Sequence, residues 1–305
     1  MTQILFVLTG AGAPEKLSRY SAGLALAAMT AKLFHPDVPV VCLGDEYGER
    51  LLGASSSRVA DFVDRFIPCP DATGGPVHRS RVIKTTLRQR VRGPFVFLDT
   101  DTALIGDIQP LLACDSPVGL TLDSWFPEAV GEFPKWCCGV YRELGWSYPT
   151  PSYYNSGVMF ADESHDSYAL FKEWHERYSR SVALGINLDQ PSFNSAVQQL
   201  GTRIRVYPEE YNFFCGQTPK PIPSSARLLH VCSSLQATRI PAYEEAIATL
   251  QNGGEVDASE LVANLKGTGT QAFRKWHLPW NLHRRIREFA QRRLFKMKLD
   301  SAERY

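Results

Sequence analysis

The stretch Phe95-Val96-Phe97-Leu98-Asp99-Thr100-Asp101 joins a run of four apolar residues to two carboxylates that are separated by a single residue. The apolar run is typical of a strand that is buried on both faces, and the acids follow at its carboxyl end. Ligands of open α/β sheets bind at that end of the strands. Asp99 and Asp101 are therefore candidates to hold a divalent cation, which would anchor a diphosphate. An acidic turn after the strand is the simpler alternative.

The segments on either side of this strand alternate between strand-like and helix-like patterns. The predicted strands cover residues 4–9, 38–43, 62–67, 95–98, 118–122 and 153–160. The predicted helices cover residues 17–35, 45–52, 78–91 and 164–180, with a short amphipathic segment at 104–112. Asp189 is expected to cap a further helix, with Pro191 in its first turn. This order predicts an α/β fold with a Rossmann-like, mainly parallel sheet covered by helices.

Length and composition indicate a globular protein. A chain of 305 residues with 44% hydrophobic content suits one large domain with an appendage, and we place the boundary between residues 1–240 and 241–305. The seven cysteines lack Cys-x-x-Cys spacing, which predicts reduced, intracellular thiols without a disulfide framework or a zinc site. No apolar run approaches the ~18 residues that span a bilayer, so we expect a soluble, cytoplasmic protein.

The net charge of +1 hides a basic C-terminal tail. Residues 271–305 contain ten Lys or Arg against three acids, so the body of the chain is net acidic, which argues against a nucleic-acid partner. Along residues 276–298, apolar side chains share one helical arc, basic side chains cover the rest, and two tryptophans come first. This pattern predicts a helix that lies on an anionic membrane surface, at the inner face of the membrane. Packing of the apolar arc on the protein's own domain is the alternative.

The first strand ends at Thr9 and leads into a loop with Gly10 and Gly12. Such a loop can carry a nucleotide, and we include Thr9 among the donor-binding candidates. Position 15 is Glu, so the glycine fingerprint of dinucleotide-binding proteins is incomplete, and a Rossmann dehydrogenase is disfavoured.

The predicted helix at residues 78–91 is basic. Its spacing places Arg81, Lys84 and Arg88 on one side. A solvated helix face explains such a charge run, whereas the functional interpretation is that Lys84 reaches phosphates near Asp99. Asp123 adds another acid at a strand end, and the segment at 126–150, rich in Trp, Pro and Gly, is expected to cap the site.

Four short motifs in a fixed order carry a resemblance to a known family. They are Leu98-Asp99-Thr100-Asp101, Tyr154-Asn155-Ser156-Gly157-Val158, Leu188-Asp189-Gln190 and Leu229-His230-Val231. Together they resemble the nucleotide-sugar glycosyltransferases of family 8, which include glycogenin and the bacterial lipopolysaccharide galactosyltransferases. The resemblance covers roughly residues 1–235.

The resemblance implies a GT-A fold, a UDP-sugar donor, a glycan or lipid-linked acceptor, and transfer of a hexose with retention of anomeric configuration. It also implies that Asp99, Asp101 and His230 bind Mn²⁺, with Mg²⁺ as the alternative ion. An imidazole beside two carboxylates suits manganese better than magnesium, which prefers oxygen ligands.

The remaining site residues are likewise implied by position in the family's motifs. Lys84 would lie by the diphosphate, and Gln190 near the anomeric carbon with Asp189 beside it. Asp123 and Asn155 would contact the transferred sugar or the acceptor.

The chain also departs from the family pattern in two places. The family continues its His strand into a lysine that touches the diphosphate, whereas Cys232-Ser233-Ser234-Leu235-Gln236 follows here and Arg239 is the candidate replacement. The family has an acid after its first strand that bears on recognition of the base, and this chain lacks it. Uracil remains the base that the resemblance implies.

Two other functions fit parts of the sequence. The run from Phe97 to Thr102 also matches the aspartyl nucleophile motif of haloacid dehalogenase-like phosphatases, but the paired acids that such enzymes need downstream are missing. A non-catalytic protein that binds nucleotide sugars is the second alternative.

Overall fold

The computed structural model describes residues 1–10, 14–53, 58–123, 135–149, 152–215, 222–231 and 240–271. The described strands fall into two sheets, one of seven strands and one of three. The strands are β1 Gln3–Leu8, β2 Val40–Gly44, β3 Arg65–Pro68, β4 Phe95–Leu98, β5 Thr102–Leu104, β6 Val118–Leu122, β7 Tyr154–Ala161, β8 Ile204–Tyr207, β9 Phe213–Phe214 and β10 Leu228–His230.

The large sheet has the order β3-β2-β1-β4-β7-β6-β8. All its neighbouring pairs are parallel except the two that involve β7, which runs antiparallel to β4 and β6. From β1 the chain first builds outward to β2 and β3, and then returns to place β4 on the other side of β1. This change of direction is the point at which open α/β sheets bind ligands. The predicted mainly parallel sheet is confirmed.

Both faces of the five central strands of the large sheet are buried, whereas the edge strands β3 and β8 are partly exposed. Along β1, Ile4, Phe6 and Leu8 belong to one hydrophobic cluster, whereas Leu5 and Val7 belong to the other. Alternate side chains of a strand point to opposite faces, so each face needs its own cover of helices. This explains why the strands read as continuous apolar runs in the sequence.

Helices cover both faces. They are α1 Pro14–Phe34, α2 Glu46–Gly53, α3 Pro76–Thr85, α4 Leu87–Arg90, α5 Gln109–Leu112, α6 Lys135–Glu143, α7 His165–Ala183, α8 Asp189–Leu200, α9 Pro241–Gln251 and α10 Ala258–Gln271. α1, α9 and α10 contribute to the first cluster, and α3, α7 and α8 to the second.

Three local predictions need correction. The single helix predicted at 78–91 is divided between α3 and α4 at Thr86, where the backbone leaves helical geometry with a φ of −110° and a ψ of 15°. The segment predicted at 104–112 holds the end of β5 and the short α5 instead of one amphipathic element. Asp189 does not cap α8, because Leu188 occupies the cap position and Asp189 is the first helical residue.

The small sheet was not predicted from the sequence. β10 pairs antiparallel with β5 and parallel with β9, so that His230 lies opposite Thr102 and beside Phe214. These strands contain two or three residues each, too few for a periodic pattern. The small sheet carries His230 to the turn that holds Asp99 and Asp101.

The C-terminal helices pack on the body of the fold. Tyr243, Ile247 and Leu265 are fully or almost fully buried in the first cluster, and Glu244 forms a two-bonded ion pair with Arg19 of α1. The division of the chain at residue 240 stays a prediction. The predicted basic helix at 276–298 lies outside the described residues. Within the described part of the chain, no helix has both the length and the apolar character needed to cross a bilayer.

Candidate functional site

Asp99, Asp101 and His230 form a cluster at the carboxyl end of β4. One ligand atom from each residue lies within 4.8 Å of the others. The Nε2 atom of His230 is 3.4 Å from Oδ1 of Asp101 and 4.0 Å from Oδ2 of Asp99. His230 is almost fully buried, whereas the side chains of Asp99 and Asp101 keep 32% and 20% exposure. The cluster is therefore open on the carboxylate side and fixed on the imidazole side.

Backbone contacts from three elements bring these residues together. The backbone N–H of Asp99 donates to the carbonyl oxygen of Gly157 in β7 at 2.8 Å. The backbone N–H of Val231 donates to the carbonyl oxygen of Asp101, also at 2.8 Å. A Cβ atom on Gly157 would lie only 2.5 Å from both Oδ2 of Asp99 and Cε1 of His230. Glycine at 157 therefore allows β7 to pass directly beside two side chains of the cluster.

The carboxylates and the imidazole of the cluster shift each other's pKa values. Burial raises the pKa of Asp99, and the like charge of Asp101 raises it further. The positive charge of Lys84 lowers it, but the pKa of Asp99 stays above its ordinary value. Burial alone would lower the pKa of His230, but the carboxylates of Asp101 and Asp99 raise it overall. Two neighbouring carboxylates that repel each other gain from a shared cation.

The donor set fits a divalent transition metal. Two carboxylate oxygens and one neutral imidazole nitrogen suit Mn²⁺, and the open carboxylate side leaves room for oxygen ligands of a substrate. The space beside Gly157, which any Cβ would fill, lies next to the same atoms. The residues present thus fit the predicted ion.

Lys84 lies between two carboxylates. Its Nζ atom is 3.1 Å from Oδ1 of Asp99 and 3.2 Å from Oδ2 of Asp189, and its side chain is 9% exposed. Arg81 and Ser156 contact the same Asp189 carboxylate, each at 3.3 Å. Burial would raise the pKa of Asp189, but Lys84 and Arg81 lower it overall, so this carboxylate is held ionised.

The solvated-face explanation of the basic helix is therefore wrong for two of the three basic residues that were predicted on one side of it. Lys84 is buried, and Arg88 is fully buried with its guanidinium on the carbonyl oxygens of Gly93 and Asp162. The tertiary structure separates Arg88 from Lys84, because it belongs to the short α4.

Gln190, Asp123 and Asn155 form a second polar cluster. The Nε2 atom of Gln190 donates to Oδ2 of Asp123 at 2.8 Å, and Asn155 donates to the same oxygen at 3.4 Å. The Oε1 atom of Gln190 accepts from the backbone N–H of Ser156 at 3.3 Å. The Gln190 amide is thus held at both ends, which fixes its dipole in one direction.

Thr9 lies apart from these clusters, at the carboxyl end of β1. Its hydroxyl donates to the carbonyl oxygen of Pro76 at 3.3 Å, at the start of α3. Next to it, the N–H of Gly10 donates to the buried carboxylate of Asp45, which also receives the Nε–H of Arg79 at 2.6 Å. Asp45 thus supplies an acid near the first loop, but this residue follows β2 in the chain and not β1.

Two residues of the site were given no role from the sequence, although one of them, Gly157, lies in one of the four motifs. Gly157 had a signal, since a glycine inside a strand often marks a close approach. Asn212, whose Oδ1 lies 3.0 Å from Nδ1 of His230, had none, because it lies 18 residues away in a short 3₁₀ turn. The expected cap at 126–150 falls partly outside the described residues, as do the segment from Cys232 and Arg239.

The sequence was compared with known families and proteins. The profile of one family, the nucleotide-diphospho-sugar transferases, matches residues 78–238, which is more than half of the chain. That range contains the two clusters described above. A comparison with curated protein sequences gave no match.

Solved structures share the fold at low sequence identity. The galactosyltransferase LgtC, crystallised with donor and acceptor sugar analogues, has a TM-score of 0.53 and 16% identity, over 86% of this chain and all of that one. An active-site mutant of LgtC has a TM-score of 0.54 and 17% identity, and the match covers 90% of this chain and 99% of that one. Mouse xyloside xylosyltransferase 1 in its apo form has a TM-score of 0.51 and 13% identity, and the match covers 77% of this chain and 99% of that one. These similarities confirm the GT-A fold.

Proposed function

The chain belongs to the nucleotide-diphospho-sugar transferases and is therefore a glycosyltransferase, and we propose that it is a metal-dependent, retaining hexosyltransferase. The donor is a nucleotide-diphosphate sugar, for which UDP is the expected carrier, and the acceptor is a hydroxyl of a glycan or a lipid-linked glycan. The observation that carries the proposal is the Asp99, Asp101 and His230 cluster at the ligand-binding end of the sheet.

Mn²⁺ is the proposed ion, held by Asp99, Asp101 and His230. When bound there, it would neutralise charge that develops on the departing diphosphate. The two carboxylates supply the charge that retains a cation, and His230 supplies the nitrogen ligand that favours manganese over magnesium.

Gln190 is proposed to position the reacting groups. The bond between the anomeric carbon and the diphosphate oxygen breaks, the acceptor oxygen bonds to that carbon on the same face, and the acceptor proton passes to the diphosphate. The amide of Gln190, held by Asp123 and Ser156, presents a fixed dipole to the positive charge on the sugar. An amide is too weak a nucleophile for an obvious double displacement.

The remaining roles follow from the contacts of each side chain. Asp189, held ionised by Lys84 and Arg81, orients Gln190 or a sugar hydroxyl. Asp123 and Asn155 lie by the transferred sugar or the acceptor, and Thr9 lies by the nucleotide. Lys84 keeps its proposed contact with the diphosphate, and its ion pairs also link the metal cluster to Asp189.

A panel of nucleotide sugars with and without Mn²⁺ tests the proposal, first by thermal shift and then by turnover. We expect stabilisation by one donor only when the metal is present, because a ligand of the folded state raises stability by mass action. Excess chelator should abolish transfer, and Mn²⁺ should restore it. Full activity in chelator would refute the metal assignment. Binding without transfer or donor hydrolysis would favour the non-catalytic alternative.

Product stereochemistry tests the mechanism separately. The anomeric proton of the product, followed by NMR from the start of the reaction, should show the configuration of the donor. An inverted linkage would contradict retention and leave the metal assignment intact.

The basic segment at 276–298 is proposed to bind an anionic membrane surface near a lipid-linked acceptor. Its sequence places six Lys or Arg around an apolar arc, and each basic residue near such a surface contributes about 1 kcal/mol. A chain truncated after Gln271 should fail to sediment with anionic vesicles at low salt, whereas the full chain should sediment. Equal sedimentation of both would refute this role.

A further inference from the structure

Gln190 is connected to β7 twice, directly through its side chain and through its backbone by way of Asn194. Its side-chain oxygen accepts hydrogen bonds from the backbone N–H of Ser156 at 3.3 Å and from Asn155 at 3.4 Å. Its backbone carbonyl oxygen accepts from Nδ2 of Asn194 at 3.0 Å. The same Nδ2 atom donates to the carbonyl oxygen of Tyr154 at 2.9 Å. Asn194 therefore ties the backbone of Gln190 to the strand that holds its amide.

Backbone groups fix the orientation of the Asn194 amide. The backbone N–H of Tyr154 lies 2.6 Å from Oδ1 of Asn194, and a backbone N–H can only donate. The carbonyl oxygens of Tyr154 and Gln190 can only accept, so the NH₂ group must face them. Asn194 is 1% exposed, so bulk water does not compete for these three hydrogen bonds.

Two further buried side chains hold the first turn of α8. The indole N–H of Trp174 donates to the carbonyl oxygen of Asp189 at 2.9 Å, and the hydroxyl of Tyr141 donates to the carbonyl oxygen of Pro191, also at 2.9 Å. Both rings are fully buried. Leu188 occupies the cap position and offers no side-chain hydrogen bond, so α8 lacks the usual polar cap. Side-chain donors to three consecutive carbonyl groups hold its first turn instead.

The partners of the Gln190 amide are all carried by the start of β7 or attached next to it. Asp123, which accepts from Nε2 of Gln190 at 2.8 Å, donates its backbone N–H to the carbonyl oxygen of Tyr153, also at 2.8 Å. Asn155 and Ser156 belong to β7 itself, whereas Gln190 belongs to α8. The position of α8 relative to β7 therefore decides whether the amide reaches its partners.

We propose that Asn194 is a positioning residue, supported by Tyr141 and Trp174, that holds the Gln190 amide in place for sugar transfer. This inference rests on the proposed function of Gln190 and adds the residues that keep its dipole aimed. A misplacement of about 1 Å in a reacting group can lower a rate about 100-fold, so a small shift of α8 is enough to impair transfer.

The first test measures hydrogen exchange of the Gln190 side-chain NH₂ group by NMR, in the metal-free full chain with ¹⁵N-labelled glutamine side chains. The signals that disappear in Gln190→Glu identify the group. Asn194→Ala should speed its exchange about tenfold or more, because the turn that carries the amide opens more readily. Tyr207→Phe is the control, since it removes another tyrosine hydroxyl that donates to a proline carbonyl oxygen, that of Pro110 at 2.8 Å. The control should exchange at the wild-type rate.

The second test compares turnover with metal binding. With the donor that the nucleotide-sugar panel identifies, Asn194→Ala should lower kcat for transfer or donor hydrolysis about 10- to 100-fold. Its Mn²⁺ affinity, measured from the electron paramagnetic resonance signal of the free ion, should match the wild type, because the hydrogen bonds of Asn194 go to Tyr154 and Gln190. Tyr141→Phe should lower kcat about fivefold, the factor that corresponds to one neutral hydrogen bond. Its matched control, Tyr207→Phe, should keep the wild-type kcat.

A double variant separates positioning from general damage. If Asn194 acts through Gln190, the single variant Gln190→Ala and the double variant Gln190→Ala/Asn194→Ala should have the same kcat, because residues that act as a unit are not additive. If circular dichroism shows that Asn194→Ala does not fold, Tyr141→Phe takes its place in all three measurements.

The outcomes separate this inference from the proposed function. An unchanged exchange rate in Asn194→Ala, or a further loss of kcat in the double variant, would overturn the inference alone. The same holds if Gln190→Ala loses activity and the folded Asn194→Ala does not. Full activity in Gln190→Ala would overturn the proposed role of Gln190 and this inference together.

Discussion

Asp45 and Asp99 are two aspartates at the same edge of the same sheet, and they differ in how their charges are compensated. Asp45 follows β2, keeps 4% exposure, and accepts hydrogen bonds from the backbone N–H groups of Gly10, Tyr47 and Gly48 and from Arg79. Asp99 follows β4, keeps 32% exposure, and has a second carboxylate, Asp101, as its neighbour.

The difference shows what makes a strand-end acid a site. The oxygens of Asp45 are used by donors of its own surroundings, including the N–H of Gly48 in the first turn of α2, so this residue stabilises the fold. Asp99 instead keeps an exposed side beside a second carboxylate, and its partner Lys84 is shared with Asp189. Two carboxylates that are close together and partly exposed can bind a cation.

Asp101→Asn should give the largest effect. Sugar transfer should fall about 10³-fold, because the variant loses a ligand of an ion that contributes several kcal/mol to the transition state. The melting temperature should stay within about 2 °C of the wild type, since the change also removes a like-charge repulsion. Initial rates and differential scanning calorimetry provide the two measurements. Asp107→Asn, at an exposed acid on the same segment, is the control.

Asp45→Ala should show the reverse pattern. We expect the free energy of unfolding to fall by about 3 kcal/mol, because Arg79 is left beside backbone groups that have lost their acceptor. Mn²⁺ affinity of the folded fraction should be unchanged. Asp71→Ala, which removes an exposed partner of Arg90, should change stability by less than about 1 kcal/mol. Equal losses of stability in both variants would contradict the comparison.

Gly157→Ala tests the close approach beside Asp99. The added Cβ would meet two side chains of the cluster at 2.5 Å, so the carboxylate and the imidazole must separate. Mn²⁺ affinity should fall about 10- to 100-fold, as measured by titration calorimetry. Gly75→Ala is the control, because a Cβ there has no neighbour within 4 Å and the backbone φ is −69°. A wild-type affinity in Gly157→Ala would show that the cluster tolerates displacement.

The smallest effect concerns the pH dependence of stability in the metal-free protein. The folded-state pKa of Asp189 lies below its unfolded value, so its ion pairs stabilise the fold fully above the unfolded pKa of about 3.9. This contribution is lost as the pH falls through the lower, folded-state value. Urea unfolding of wild type and Asp189→Asn should therefore converge as the pH falls below about 4. The exposed Asp115→Asn should track the wild type throughout.

Sequence patterns predicted six of the seven strands of the large sheet, because its central strands are buried on both faces and therefore apolar, and they missed the partly exposed edge strand β8. The patterns also identified the strand-end acids Asp99, Asp101 and Asp123, and the family resemblance added Asn155, Gln190 and His230; the structure brings these residues together in two clusters. The helix at 78–91 was predicted without its break, since the segment contains neither the glycine nor the proline that would mark one in the sequence. Of the small sheet, only the strand that carries His230 was recognised, through its motif, because strands of two or three residues are too short to show a period.

The sequence by itself determined the alternation of strands and helices, the acids at strand ends and the order of the four motifs, because each depends on neighbours along the chain. Tertiary structure alone decided how charges are shared, for example that Lys84 joins Asp99 to Asp189 across 15 and 105 residues. It also decided that Asn212, which is 91 residues from Thr121, contacts both Thr121 and His230. Hydrogen bonds and ion pairs depend on distances of a few ångströms in space, and sequence separation carries no record of them.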